Sequence, residues 1–375
     1  MESSLRTLLA LLAITPAITN KRSRFVELLL KRRNADPLIN MALKEGLAGI
    51  LYKNLLKSGS LDSLNKGHQE ILQSAYYRTL HLNLKLNHAL KKILSTLNQG
   101  GVQVVLLQGM ELLHGIYGDF GLRPLSDIDL WVLEKDYTKL VSILRNQGYR
   151  LDPLYPNTFR KGITVLDIHT HILWADRIRS REWLLTKSQD FIYQKTRFIS
   201  VDGQQVRSLG RYDQVLYLGL HLLKHNAERL IWLVDIKKLV ADWTFSDWQA
   251  LLTRARELGQ EKCVTYICYL LKLLLNFTEP GRICPEIHRL KLNPIEKKLL
   301  RLRQKKESLP EWSTLILFTS GKGLLKGIMF ILETLFPRSD ILRQVFAETP
   351  GLSVPQLYTR RFFQLAGRAV TSLFK

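Results

Sequence analysis

The sequence predicts a mixed α/β core of the α+β kind, built on one mixed sheet and set between helical N- and C-terminal regions. Three observations lead there. Up to about residue 98 the apolar residues recur every three or four positions, as in FVELLLKRR, NMALKEGLAGILYKNLL and QEILQSAYYRTLHLNLKLNHALKKILSTL, the spacing of helices that bury one face. From residue 99 to about 210 short β-branched runs alternate with helical ones. From Arg211 onward the periodicity is helical again. The expected organisation is a helical region over 1–98, a core over 99–210 and a second helical region over 211–375.

Within the core, NQGG at 98–101 is a turn signal and VQVVLL after it reads as a buried strand. The pattern then predicts a helix from about Met110 to Tyr117, a strand from Asp127 to Leu133, a helix from Tyr137 to Asn146 and a strand from Ile163 to Ile172. A hairpin is expected through FIYQKTRFISVDGQQVRSL, with Asp202-Gly203 as its turn. In the C-terminal region Pro280, Pro285, Pro294, Pro310 and Pro337 mark expected helix breaks. No internal repeat is visible.

Bulk properties narrow the class. At 375 residues, 46% hydrophobic and 23% charged, the chain has the composition of a folded globular protein and is long enough for more than one layer of core. Three cysteines, Cys263, Cys268 and Cys284, lack the number for a disulfide framework and the paired spacing of a zinc site, which points to a reducing cytoplasm. The N-terminal MESSLRTLLALLAITPAITNKR resembles a signal peptide in its apolar stretch, but Glu2 and Arg6 give a weakly positive start, so an amphipathic helix is expected. TLILFTSGKGLLKGIMFILETLF is interrupted by Lys322 and Lys326 before the roughly 20 apolar residues a spanning helix needs. The formal charge is +22, divided as +9 over 1–100, +2 over 101–200, +4 over 201–300 and +7 over 301–375. Basic flanks of this kind favour a polyanionic partner, RNA or an anionic membrane surface. The C-terminal RLRQKKES and TRRFFQLAGRAVTSLFK mix basic and apolar residues as either a surface-binding or an internally packed helix would.

The acidic block carries the chemistry. In SDIDLWV, Asp127 and Asp129 fall at i and i+2 of the expected strand, so their carboxylates leave one face of the sheet. Two adjacent like charges are costly without a cation, and Mg²⁺ prefers oxygen donors completed by substrate phosphates. Alone, Asp-x-Asp is common on solvent-facing strands. ITVLDIHTHI adds Asp167 inside an apolar run, where an unpartnered carboxylate is expensive. Three such acids suit a two-metal site in which Asp127 and Asp129 bridge both ions and Asp167 holds the one that activates the attacking hydroxyl.

LLQGMELLHGIYGDFGLRPLSDIDLWV followed by VLDIHTHILW resembles the poorly characterised nucleotidyltransferase family of the DNA polymerase beta superfamily. In that family a strand ending in Lys-Gly precedes a helix, an Arg-Pro-x-Ser-Asp-x-Asp segment and a later Asp-x-His strand. The resemblance is strongest over about residues 101–240. It implies the polymerase-beta-like mixed sheet, an NTP substrate, Mg²⁺ or Mn²⁺, and Asp127, Asp129 and Asp167 as metal ligands. It also implies that Gly109 lies in the triphosphate-binding turn. Arg123 and Ser126 are further nucleotide-binding candidates, placed either to contact phosphate or to support the Asp-bearing strand. The family's lysine before that glycine is replaced here by Gln108, which removes a phosphate contact. The acceptor, a hydroxyl or amine, is not legible.

His169 matches the family's Asp-x-His and is expected to orient a carboxylate. Asp167, His169 and His171 alternate along the expected strand and open a rival reading, a metal-dependent hydrolase. In YLGLHLLKHNAERLIWLVDIKKL, His221, His225, Arg229, Trp232 and Asp235 recur at helical spacing. On one continuous helix they make a polar stripe, either a packing network or an acceptor wall. HLLKH lacks the glutamate of a zinc protease. A noncatalytic protein of the same fold, bound to nucleic acid or membrane, is the alternative from another class.

Overall fold

The computed structural model describes residues 35–373, apart from 156, 278–284, 307 and 350. The expected N-terminal amphipathic helix, FVELLLKRR, the break at Pro280 and Cys284 lie outside the described residues.

Helices α1 (Asp36–Lys44), α2 (Ala48–Lys57) and α3 (Lys66–Gln99) open the described chain. Asn65 caps α3 by accepting the His68 amide at 2.8 Å. At 34 residues, α3 is about 50 Å long, and it buries one side through Leu86, Leu90, Ile93, Leu94 and Leu97. Strand β1 (Val104–Leu107) follows and passes directly into α4 (Gln108–Leu112), which ends in a wider turn over Leu113–Tyr117. The helix thus begins two residues before the expected Met110. Then come β2 (Ile128–Val132), α5 (Glu134–Asn146), β3 (Arg150–Leu151), β4 (Thr158–Lys161), β5 (Thr164–His169) and α6 (Gln189–Tyr193). β6 (Arg197–Val201) and β7 (Gln204–Ser208) form the expected hairpin. Its turn has Asp202 at φ 48° and Gly203 at φ 82°, the two positive φ values that match the twist of paired strands.

These strands make one seven-stranded sheet in the order β3-β4-β5-β2-β1-β7-β6. β1 runs antiparallel to β2 and parallel to β7, while β2 runs parallel to β5. β1 is apolar and wholly buried, while β2 and β5, next along the sheet, set Asp129 and Asp167 between buried apolar residues. The edge pair β3–β4 left no clear sequence signal, since β3 has only two residues, both exposed.

Helices α7 (Arg211–Lys224), α8 (Leu230–Leu239), α9 (Phe245–Leu258) and α10 (Glu261–Leu275) cover the core. The continuous helix expected from Arg211 through Asp235 is instead two. Asn226 and Ala227 take left-handed φ of 53° and 49°, a costly conformation for residues with a Cβ. Its partners come from farther along the chain: Leu309 donates to the Asn226 carbonyl at 2.7 Å, and Arg303 Nε donates to the Ala227 carbonyl at 2.5 Å.

Beyond lie α11 (Pro285–Arg289), α12 (Pro294–Lys305), α13 (Ser313–Thr319), α14 (Leu324–Leu335), α15 (Ser339–Val345) and α16 (Val354–Leu373). The apolar TLILF…ETLF segment is split by a turn at Gly321 into α13 and α14, and Lys322 Nζ there donates to the Leu184 carbonyl at 2.7 Å. Among the described residues no helix is long and apolar enough to cross a membrane.

A single hydrophobic core runs from Ala35 to Phe330 through all three segments of the chain. Glu45 and Arg303 tie its two helical flanks together by a buried ion pair of 2.8 Å. A separate small cluster of Leu342, Phe346 and Leu357 packs α16 on α15. In α16, Arg361 Nε donates to the Leu335 carbonyl at 2.8 Å and Arg360 Nη1 to Thr349 Oγ1 at 2.5 Å.

Candidate active site

Parallel pairing of β2 with β5 sets Asp129 directly beside Asp167. Along both strands the neighbours Ile128, Leu130, Leu166 and Ile168 are buried while the two aspartates are only half-buried. Alternation therefore drives the apolar residues into the core and leaves the carboxylates on the other face. Asp127 stands one residue before β2 begins, not within it, and adds its carboxylate at the same end of the sheet. The loop that delivers it is fixed by α3: Asn83 Nδ2 donates to the Phe120 carbonyl at 2.6 Å and the Arg123 carbonyl at 2.8 Å. Gly121 lies against the Tyr76 ring, where a Cβ would overlap it.

Asp127 feels the other two acids. Burial, then the charges of Asp129 and Asp167, push the Asp127 carboxyl up to about 7. Ser126 Oγ donates to Asp127 Oδ1 at 3.0 Å, and Thr158 Oγ1, opposite Asp167 on β4, donates to Asp167 Oδ1 at 2.5 Å. His169 Nε2 sits 3.0 Å from Asp129 Oδ1. No lysine or arginine forms an ion pair with any of the three among the described residues. This is a donor set of hard carboxylate oxygens with its charge largely uncompensated, and it fits Mg²⁺ or Mn²⁺. Among the described residues no three such side chains stand as a ready-made metal cage, as is usual where substrate phosphates complete the coordination of Mg²⁺.

The residues expected at the nucleotide turn meet a crowded junction. Gln108 takes a left-handed φ of 49° between β1 and α4. Its Nε2 donates to the Tyr217 hydroxyl at 3.3 Å. Gly109 is packed under the next loop, where a Cβ would overlap Leu125 and come within 2.7 Å of Arg123 Nη1. Arg123 is itself buried and engaged: Nε and Nη2 donate to Asp235 Oδ2 at 2.9 and 2.8 Å, and Tyr117 OH donates to Asp235 Oδ1 at 2.6 Å. Asp235 thereby serves to lock the loop before Asp127 onto α8.

The break between α7 and α8 still gathers part of the expected stripe. His221 and His225 lie with ring centroids 4.5 Å apart, each about 5 Å from Trp232, at 5.2 and 5.3 Å. Burial, then His225 and Lys224, holds His221 well below its ordinary range, and burial followed by Lys224 takes His225 down to about 4. Both are neutral rings at neutral pH. Arg229 is the N-cap of α8, half-buried, its guanidinium against Gly46. β5 ends at His169, so His171 lies past the strand, and its Nδ1 accepts the Leu173 amide at 3.1 Å. Asp167, His169 and His171 therefore do not form one row on a strand, which weighs against the hydrolase arrangement.

Four residues near these rings were not singled out by sequence: Trp174, Arg177, Arg181 and Lys224. Lys224 Nζ lies 3.9 Å from the Trp174 ring centroid and Arg181 Cζ 5.9 Å from it. The lysine inside HLLKH, on an otherwise apolar helix end, was the one signal available.

The chain belongs to the uncharacterised nucleotidyltransferase family, whose sequence pattern matches residues 31–276. Membership of that family supports nucleotidyl transfer as its function. No curated protein sequence matches the chain. Among solved structures it is similar to the antibiotic-resistance factor ANT(2'')-Ia, with a TM-score of 0.34 and 14% identity over 46% of this chain and 92% of that one. So distant a likeness does not bear on substrates.

Proposed function

We propose that the chain transfers a nucleoside monophosphate from an NTP to a hydroxyl or amine acceptor, with Asp127, Asp129 and Asp167 as the carboxylates of a Mg²⁺- or Mn²⁺-dependent site. The observation that supports this most is the burial of Asp127 beside Asp129 and Asp167, which pushes it up to about 7, with no lysine or arginine paired to any of the three among the described residues. A fold that keeps such repulsion needs a ligand that relieves it. When bound, a divalent ion would neutralise the charge that builds on the phosphate oxygens and lower the pKa of an acceptor hydroxyl.

In the reaction a bond forms between the acceptor oxygen or nitrogen and the α-phosphorus, the bond from the α-phosphorus to the bridging β-oxygen breaks, and pyrophosphate leaves with that electron pair. The acceptor's proton passes to solvent. Asp127 and Asp129 would hold the nucleotide end of the site; Ser126 keeps Asp127 oriented through its 3.0 Å hydrogen bond. His169, at 3.0 Å from Asp129 Oδ1, and Thr158, on Asp167, fix two of the carboxylates in place.

The test is a melting-temperature screen of the chain with each NTP, with and without Mg²⁺ or Mn²⁺. Binding to the folded state at a hundredfold excess over Kd adds about 2.7 kcal/mol of stability. The shift is expected only with nucleotide and metal together, and only with Asp127 and Asp129 intact. A shift that persists in both Asp→Asn variants removes the carboxylates from the site.

A further inference from the structure

Lys224, Arg181 and Arg177 form a second concentration of like charge, of the opposite sign to the first. Burial, then Arg181 and Arg177, take Lys224 down to about 7, with Asp129 and Asp167 acting on it in the other direction. None of the three cations has an ion-pair partner among the described residues. Arg181 Nε is shut off from water and without a hydrogen-bond partner.

Of the nearest acids, Glu333 is engaged by backbone amides, whereas Asp176 has Oδ1 buried without a hydrogen-bond partner and acts on Arg181 against the effect of burial. Glu333 of α14 accepts the Arg179 and Ser180 amides at 2.9 and 2.7 Å, and Asp176 accepts Asn157 Nδ2 at 3.4 Å. The Arg177 guanidinium lies 5.9 Å from the Tyr155 ring centroid, while Lys224 and Arg181 lie against the ring of Trp174, a bulky buried residue held at φ 59°. A side chain of that size in the left-handed region costs about 1–3 kcal/mol and persists where surrounding contacts enforce it. Here the Trp174 amide donates to the His171 carbonyl at 2.9 Å, and the Trp174 carbonyl accepts the Arg177 amide at 3.1 Å. The C-terminal region braces the same segment through Glu333 and through Arg338 Nη2, which donates to the Asp176 carbonyl at 2.7 Å.

Position separates this cluster from the nucleotide turn. The chain enters the Trp174–Arg181 segment directly after β5, the strand of Asp167, whereas Gly109 follows β1, two places along the sheet. Lys224 is seven residues beyond Tyr217, the α7 residue that Gln108 contacts, or about 10 Å along the helix. Two guanidinium forks and an ammonium that have no ion-pair partner among the described residues match the several oxygens of a phosphate.

We propose that Arg177, Arg181 and Lys224, the last two against Trp174, bind a phosphate group carried by the acceptor, so that the acceptor is a phosphorylated alcohol or amine. This rests on the nucleotidyl-transfer reading above. The alternative source of the same chemistry is the triphosphate of the NTP, and the experiment separates them.

Calorimetric titration of the full chain with inorganic phosphate, and separately with NTP plus Mn²⁺, is compared for wild type, Arg181→Gln, Lys224→Gln, the double variant and Lys224→Arg. Phosphate affinity is expected to fall about tenfold or more in the double variant and to be largely kept in Lys224→Arg. NTP affinity is expected to stay within about twofold of wild type throughout, since the cluster lies outside the nucleotide turn. Loss of NTP affinity in step with phosphate affinity would assign the cluster to the nucleotide and overturn the acceptor proposal. Absence of phosphate binding in wild type, or unchanged phosphate affinity in a folded double variant, would overturn it as well. If the double variant does not fold, the single variants and Arg177→Gln are read by the same criteria. Asp127→Asn separates the two levels: it should abolish NTP·Mn²⁺ binding and leave phosphate binding intact. NTP binding that survives it would remove the carboxylate reading whatever the cluster does.

Discussion

Two polar groups of this protein are both built on aspartate and behave in opposite ways. Around Asp235, one carboxylate meets one guanidinium and one hydroxyl, at 2.8 Å to Arg123 Nη2 and 2.6 Å from Tyr117, and every charge has its complement. Around Asp127, three carboxylates meet one histidine and two hydroxyls, and Asp127 is driven up to about 7. The first arrangement closes on itself and holds a loop to a helix. The second is open: among the described residues no lysine or arginine pairs with its carboxylates, and the proposed function assigns the balancing charge to a bound divalent ion. Burial alone does not distinguish structure from site; charge balance does.

That contrast can be broken most directly at the carboxylates. Asp127→Asn or Asp129→Asn is expected to lower nucleotidyl transfer by about 10³-fold or more, equivalent to about 4 kcal/mol, while the melting temperature stays level or rises because like-charge repulsion is relieved. Transfer assayed as pyrophosphate release, alongside thermal melting, reads both. A sharp drop in stability would mean that these acids are paired structurally after all.

At the closed network the sign should reverse. Asp235→Asn leaves Arg123 buried without its counter-charge and is expected to cost about 3–5 kcal/mol in denaturant unfolding. A loss below about 1 kcal/mol would show that the network is not what anchors the loop before Asp127.

Asp167 sharpens the comparison within the site. Asp167→Asn is expected to reduce single-turnover chemistry about 10²-fold with NTP affinity near wild type, as fits a group on the acceptor side. The opposite pattern, weak NTP binding with normal chemistry on the residual complex, would move it to the nucleotide side.

The smallest effect concerns Glu111, a buried acid between the two regions. Its Oε1 accepts Ser208 Oγ at 3.1 Å and its Oε2 accepts Gln214 Nε2. Burial pushes it up to about 7, against the pull of Ser208, Arg197 and Gln214, with Asp235 adding to the rise. A carboxyl raised above its unfolded value contributes stability that is complete below about 4.5 and is lost as pH climbs through about 7. The melting temperature of Glu111→Gln relative to wild type should therefore increase between pH 5 and pH 8, by an amount worth roughly 3 kcal/mol at most. A difference independent of pH would mean that Glu111 is already charged in the fold.

Much of this was written into adjacent residues. The helical spacing of the flanks, the VQVVLL strand, the Asp202-Gly203 turn and the Asp-x-Asp and Asp-x-His segments could all be read locally, because strand and helix periods and turn chemistry depend on a few neighbours. What the sequence could not supply was partnership across distance. The register that puts Asp129 beside Asp167 is a property of two strands brought together in the sheet. Arg123, a nucleotide-binding candidate in the sequence, is taken into the core by Asp235, 112 residues away. The helix expected to run on through His225 breaks at Asn226 and Ala227, and Arg303, 76 residues later, holds the broken end. Lys224 follows the same rule. In the chain it is one lysine at the end of an apolar helix, and only the fold puts it over Trp174 beside Arg181, leaving it without an acid. Local pattern decides which way a side chain faces, but whether its charge is balanced is decided by groups that only tertiary packing can bring within range.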